Sequence, residues 1–150
     1  MPAQKLDLTL YDNDTLTLRL SIKSGTAKTP NEALRLPEFE LDGWGALLQI
    51  RKSAASTELL AEISTPALPG HTGGGIEVSE PRCGELVLTF SHTLVTEAML
   101  LAKTCEYDLL LIHPSGRPYR TMFGTIMAKR GVSRLSPLVA SMTLALGAGT

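Results

Sequence analysis

The chain has 150 residues, a length that fits one domain, and its hydrophobic content of 43% allows an ordinary core. With 14 basic and 15 acidic residues the formal net charge is -1, which argues against a nucleic-acid interface and gives no reason to expect an anionic membrane surface as partner. The 13 Gly and 9 Pro favour many short elements over a few long helices.

We predict no targeting or membrane segment. The first ten residues show no basic region followed by an apolar one, so we expect no secretory signal. The uncharged stretch Leu135–Thr150 is too short and too polar to span a membrane. We therefore expect a protein that is made and folded in a cytosol.

The first strands are predicted from apolar residues that alternate with polar ones. Leu6–Leu10 is the first strand, and the sequence YDND at Tyr11–Asp14 is typical of a turn, because Asp and Asn side chains bond to nearby backbone groups. Thr15–Lys23 is the strongest strand pattern in the chain. Its period of two places four apolar residues on one face: Leu16, Leu18, Leu20 and Ile22.

The central region is predicted to alternate strands with polar connections. Ser24–Pro37 is expected to be a polar connection, and Thr65–Gly75, with two prolines and three consecutive glycines, a surface loop. Four strands are predicted here, the third of them a short edge strand: Ala46–Lys52, Leu59–Ser64, Ile76–Val78 and Glu85–Phe90.

One helix and one hairpin are predicted next. In Ser91–Lys103 apolar residues fall at helical spacing and Ser91 or Thr93 can cap the start, so we expect about three helical turns. Cys105–Ile112 and Tyr119–Ala128 flank a Pro-Ser-Gly turn and form a hairpin. A period of two divides its second strand into two faces: Tyr119, Thr121, Phe123 and Thr125 on one, and Arg120, Met122, Gly124 and Ile126 on the other.

These elements predict a mainly β fold, an antiparallel β-sandwich of about seven strands with one short α-helix before the final hairpin. Short strands at turn-punctuated spacing are typical of sandwiches and barrels, and we favour the sandwich. The predicted domain spans residues 1–134, and an apolar C-terminal arm spans residues 135–150.

No constellation of residues predicts catalysis, a metal or a cofactor, so we expect a protein that is not an enzyme. The Gly-rich segment Pro69–Gly75 lacks the Lys and the strand-to-helix context of a phosphate loop. The three His stand apart without a second ligand at close spacing, and Cys83 and Cys105 are expected to be reduced thiols. The loop offers one candidate contact: Pro69, His71 and Gly74.

Three segments of the sequence, taken together, carry a family resemblance. Leu6–Ile22 joins a short strand, an Asp-containing turn and a strongly alternating strand. Phe39–Ser53 has a Leu-Asp-Gly-Trp step before a strand that ends in Arg51, and Tyr107–Arg134 opens with Tyr-Asp and closes with Ser-Arg. In this order and spacing they resemble the N-terminal domain of phage baseplate upper proteins and its relatives. The matching residues are Leu41, Asp42, Gly43, Trp44, Arg51, Tyr107, Asp108, Gly116, Gly124, Ser133 and Arg134.

The resemblance covers Leu6–Arg134 and implies an Ig-like sandwich that forms a structural part of a phage particle. It implies assembly in the host bacterial cytoplasm with copies of itself and other virion proteins as partners, and no nucleic acid or membrane. The segment Thr65–Pro81 departs from the family pattern, because it is longer and richer in Gly and Pro.

The C-terminal arm carries no charge and alternates like a strand. Two interpretations stay open: the arm pairs with a neighbouring subunit or another virion protein by strand addition, or it is the last strand of its own sandwich. The first interpretation predicts five interface residues: Leu138, Ala140, Met142, Leu144 and Leu146.

The leading functional hypothesis is a virion structural protein of the tail, baseplate or neck, which assembles through subunit contacts and anchors fibres or other tail proteins. The alternatives are a capsid decoration protein and a carbohydrate-binding host-adhesion module. Trp44, which stands between two glycines, is either an exposed binding residue or a core residue, and we favour the core. Exposed aromatic platforms are otherwise scarce in the sequence, which weighs against carbohydrate binding.

Overall fold

The structure is a computed structural model that describes residues 3–25, 28–66, 68–71, 73–131 and 138–146. Within these ranges ten strands form two sheets, joined by two short α-helices and two 3-10 turns. The strands and α-helices, in chain order, are β1 (Gln4–Lys5), β2 (Leu8–Tyr11), β3 (Leu16–Ser24), α1 (Pro30–Arg35), β4 (Gly45–Arg51), β5 (Leu59–Ser64), β6 (Ile76–Glu80), β7 (Glu85–Phe90), α2 (Glu97–Ala102), β8 (Thr104–Ile112), β9 (Pro118–Lys129) and β10 (Leu138–Leu146).

The two sheets confirm the prediction of a mainly β, two-layer fold. The first has the order β1-β9-β8-β4-β5, with β2 also paired to β9, and the second has the order β10-β3-β7-β6. The expected count of about seven antiparallel strands is wrong. Two short strands near the start of the chain pair in parallel with β9, and β10 pairs in parallel with β3.

The core lies between the sheets and follows from the alternation of the strands. The apolar residues of β3 that the sequence placed on one face are all buried, and fully buried residues of the first sheet, such as Leu48 and Leu109, belong to the same cluster. Burying one such side chain contributes about 2 kcal/mol. The alternating pattern of β3 is therefore a main determinant of the fold.

A short helix, α1, lies in the segment that was predicted to be a polar connection. The hydroxyl oxygen of Thr29 accepts the N–H of Glu32 at 3.2 Å, and the Glu32 carboxylate accepts the N–H of Lys28 at 2.9 Å. Pro30 occupies the first turn, where its missing N–H costs nothing. These two bonds, one to the N-cap residue Thr29 and one to the residue before it, stabilise a helix that is only six residues long.

The predicted three-turn helix over Ser91–Lys103 is wrong in length. Its first part is a 3-10 turn over His92–Leu94, which is followed by extended backbone at Val95. Helix α2 begins only after Thr96, whose hydroxyl accepts the N–H of Met99 at 3.3 Å.

A β-bulge in β9 changes the faces predicted for this strand. Leu109 pairs with Met122 but Leu110 pairs with Arg120, so Thr121 is an extra residue. Thr121 is buried, and its hydroxyl donates to the carbonyl of Leu109 at 3.1 Å. After the bulge, Phe123 lies on the outer face with Arg120, whose guanidinium is 4.3 Å from its ring. Before the bulge, Tyr119 lies opposite the buried Leu111 and on the inner side.

No helix in the described part of the chain is long and apolar enough to cross a membrane.

Candidate assembly site

Strand β10 is the candidate assembly site from the sequence, and it forms one edge of the second sheet. It pairs with β3 in parallel over nine residues, from Leu138 opposite Leu16 to Leu146 opposite Ser24, without a shift of register. The structure therefore shows the strand within its own sandwich. Whether its other edge contacts a further subunit stays a prediction, as does the domain boundary at residue 134.

The side chains of β10 that the structure describes divide between the core and the surface. Leu144 is 1% exposed, and Met142 is half-buried against the core. Ser141 is exposed. Two of the five predicted interface residues, Met142 and Leu144, therefore pack against the core of their own chain. For Leu138, Ala140 and Leu146 the structure gives the backbone pairing with β3.

The other sheet edges differ from β10 in chemistry. Edge β6 carries Glu77 and Glu80 and has a shift of register. Edge β5 carries Glu62, and its pairing with β4 also shifts. The edge formed by β1 and β2 carries Lys5 and is interrupted between the two strands. Charges, bulges and interruptions are the features that prevent sheets from joining edge to edge. Among the described edges, β10 alone has none of these three features, but helix α1 lies against the strand, where Ala33 and Leu34 line a groove with Met142 and Thr143.

The predicted surface loop at Thr65–Gly75 connects the two sheets and is tied to both. The N–H of Ser64 donates to the carbonyl of Gly74 at 2.8 Å, and the Ser64 hydroxyl oxygen accepts the N–H of Gly73 at 2.7 Å. The carbonyl of Gly75 accepts the N–H of Thr89 in the second sheet at 2.7 Å. The glycines Gly73, Gly74 and Gly75 are therefore anchored by hydrogen bonds of their backbone groups.

The candidate loop residues Pro69, His71 and Gly74 make separate contacts. Pro69 is exposed, Gly74 bonds to β5 as described, and the Nδ1 atom of His71 lies 3.3 Å from a carboxylate oxygen of Glu62. Glu62 also accepts a hydrogen bond from the amide of Gln49 at 3.0 Å. These contacts join the loop to the outer face of the first sheet.

Trp44 lies in an aromatic cluster at the end of the sandwich. Its ring is 5.4 Å from Phe39 and 5.0 Å from His113, both in edge-on geometry, and 5.9 Å from Tyr119. Trp44 is half-buried and packs against the core. This placement supports the interpretation of Trp44 as a core residue.

Tyr107 joins the start of the chain to the first sheet. Its hydroxyl donates to the carbonyl of Leu6 at 2.5 Å, across Gly124, the residue opposite Tyr107 on β9. The Asp7 carboxylate accepts the N–H of Thr125 at 3.0 Å, and this bond lowers the pKa of Asp7. These bonds hold the interrupted segment between β1 and β2 on β9.

Replacing Tyr107 with Phe is expected to lower the free energy of unfolding by about 1 kcal/mol at neutral pH, because the Leu6 carbonyl loses its side-chain donor. Burial, followed by the charge of Asp7, raises the pKa of Tyr107 well above its usual range. The folded chain thus holds the phenolic proton more tightly than the unfolded chain.

The stabilisation that the phenol provides is therefore fully present below the ordinary tyrosine pKa of about 10 and is lost as pH rises above it. Urea unfolding at pH 7 and pH 11 checks both points: the difference between parent and variant should shrink at the higher pH. A constant difference would contradict the assignment.

The two cysteines are free thiols in different environments. Cys83 is exposed, and a hydrogen bond with Glu38, together with nearby carboxylates, raises its pKa. Cys105 is buried, and desolvation raises its pKa. Both environments favour the protonated thiol over the nucleophilic thiolate.

In the described ranges, no group of three or more His, Cys, Asp and Glu side chains is arranged to hold a metal ion. No protein-family model matches the chain, and no curated protein is significantly similar to it.

Proposed function

We propose that this chain is a structural subunit of a phage particle, an Ig-like sandwich of the tail, baseplate or neck. It assembles with copies of itself and with other virion proteins, in the bacterial cytoplasm, through the free edge of β10. The resemblance of three sequence segments supports the phage setting. The edge chemistry of β10 supports the assembly role and is the observation that carries the proposal.

The edge of β10 away from β3 pairs with no other strand in the described ranges, and its sequence has properties that strand addition requires. It runs without a charge, a proline or a bulge over nine residues, and the sheet behind it is fixed through β3. A strand added there forms main-chain hydrogen bonds with β10, and its side chains alternate between the two faces of the sheet. The other described edges each carry at least one feature that opposes such pairing.

The carbohydrate-binding alternative has less support. Trp44 already contacts three rings, so its faces and edges are largely occupied. A glycan platform requires an aromatic face that is open to solvent.

The proposal is tested by placing a charge on the edge strand. We measure the mass of the parent chain by light scattering behind a sizing column, at a protein concentration of about 100 µM, where interfaces with a Kd in that range are partly formed. We expect a mass above that of one chain. The variant Ser141→Lys should elute as a folded monomer, because a lysine on an edge strand opposes edge-to-edge pairing.

Ser53→Lys is the matched control, because Ser53 is exposed in the turn between β4 and β5. This variant should keep the mass of the parent. A parent that stays monomeric over the whole concentration range, or a Ser141→Lys variant with unchanged mass, would contradict assembly through β10.

A further inference from the structure

An apolar groove lies where α2 meets the end of β9. It has a volume of about 430 Å³, and its lining includes the side chains of Leu101 and Met127 together with Lys103 and Lys129. Leu101 is 81% exposed and Met127 is 43% exposed. Most apolar residues of α2 have a role in packing: Met99 is fully buried and Leu100 packs against the core. The exposure of Leu101 therefore has no explanation in the packing of the residues that the structure describes.

The charge of the groove is unbalanced. Among the described residues of its lining, Glu97 is the one acidic residue, and both of its carboxylate oxygens accept hydrogen bonds from Arg130, at 3.0 and 3.2 Å. Arg130 also lies 3.8 Å from Asp12. Lys103 and Lys129 have no ion pair among the described residues. The groove thus combines an apolar surface with two unneutralised cations.

The backbone of Lys103 is strained. Its φ of 64° and ψ of -45° follow the last turn of α2, and it is the one non-glycine residue with positive φ in the described part of the chain. Glycine would adopt this conformation at lower cost. A lysine at such a position is consistent with a role for its side chain, since strained residues cluster at binding sites.

We propose that this groove binds an acidic segment of another protein, which places a leucine-like side chain between Leu101 and Met127 and carboxylates beside Lys103 and Lys129. Charge complementarity selects the acidic partner, and the exposed apolar pair supplies the anchor. The groove shares no residue with β10, so the inference goes beyond the proposed assembly function and does not depend on it.

The test uses the full chain labelled with ¹⁵N and the synthetic peptide acetyl-Glu-Glu-Leu-Glu-Glu-Leu-Glu-Glu-amide. Titration should give saturable shifts of the amide resonances of Leu101, Lys103, Met127 and Lys129, with a Kd of about 100 µM at low salt. Raising the salt from about 50 to 200 mM should weaken binding several-fold. A peptide with Ser in place of Leu should bind at least about ten-fold more weakly.

Three variants test the residues. Leu101→Ser and Lys129→Gln should each weaken peptide binding about five-fold or more, whereas Leu34→Ser and Lys52→Gln, matched exposed residues elsewhere, should not. Lys103→Gly should weaken binding yet raise the Tm by about 3 °C, because the strain is relieved. Weaker binding together with a higher Tm would show that the variant has lost the binding site and not its folded structure.

No saturable shift at the groove up to about 5 mM peptide, a range that covers weak sites, would overturn the inference. Shifts that persist in Leu101→Ser and Lys129→Gln would also overturn it. Sedimentation of the chain with phosphatidylserine vesicles, without shifts by the peptide, would assign the groove to an anionic membrane and likewise overturn it.

Discussion

Replacing Gly124 with alanine is expected to lower the free energy of unfolding by about 3 kcal/mol, because the new methyl group would overlap the main chain of Leu6. Leu6 cannot move away easily. Its N–H donates to the carbonyl of Phe123 at 2.8 Å, and its carbonyl accepts the Tyr107 hydroxyl at 2.5 Å. Displacement would break both bonds and loosen β1 and β2 from β9. Urea unfolding at neutral pH measures the loss.

The matched control is Gly74→Ala. A methyl group at Gly74 would meet no heavy atom within 4 Å, and its φ lies outside the left-handed region, so this variant should stay within about 0.5 kcal/mol of the parent. Similar losses in both variants would show that the effect comes from glycine replacement in general and not from the approach of Leu6.

Leu144→Ala is expected to cost about 3 kcal/mol, since Leu144 is 1% exposed and belongs to the core cluster between the sheets. The loss would establish that β10 contributes to the stability of the sandwich. Thermal unfolding followed by circular dichroism provides the measurement.

Ser141→Ala on the same strand should leave the Tm nearly unchanged, because Ser141 is exposed. Unfolding at several protein concentrations adds a second test. If β10 stays within its own chain, the Tm of Ser141→Lys, the variant expected to be monomeric, should not depend on concentration; a Tm that rises with concentration in this variant would show that the strand is exchanged between copies.

The strands could be predicted from the sequence because their hydrophobic period is local information. The bounds of β5 and β7 were predicted correctly, and β3 differs from its predicted range by one residue at each end. The faces of β9 could not be predicted, because the bulge at Thr121 depends on its pairing with β8. A single inserted residue reverses the face of every residue on one side of it.

Helix α1 was missed although a local signal was present. Thr29 and Glu32 have the spacing of a capping box, and Pro30 stands in the first turn. The segment has too few apolar residues to show a helical period, so the capping residues were the one usable signal. By contrast, Val95 and Thr96 interrupt the predicted longer helix through extended backbone, which periodicity does not detect.

The candidate site was predictable in position but not in its relation to the rest of the chain. Alternation indicated a strand at β10, whereas its parallel pairing with β3 required the tertiary structure. The bond from Tyr107 to Leu6 likewise joins residues that are distant in sequence. Ser133 and Arg134, which close the family resemblance, lie outside the described residues.

The pairing of β3 with β10 also has a consequence for how the chain folds. The two strands lie about 120 residues apart in sequence. During synthesis β3 therefore stays unpaired on this side until nearly all of the described chain has been made. Contacts of such high sequence separation form slowly, because a long loop must close first. During this interval the unpaired side of β3 can bind a β10 strand from another newly made copy. Such domain swapping should be most frequent between chains that are translated close together.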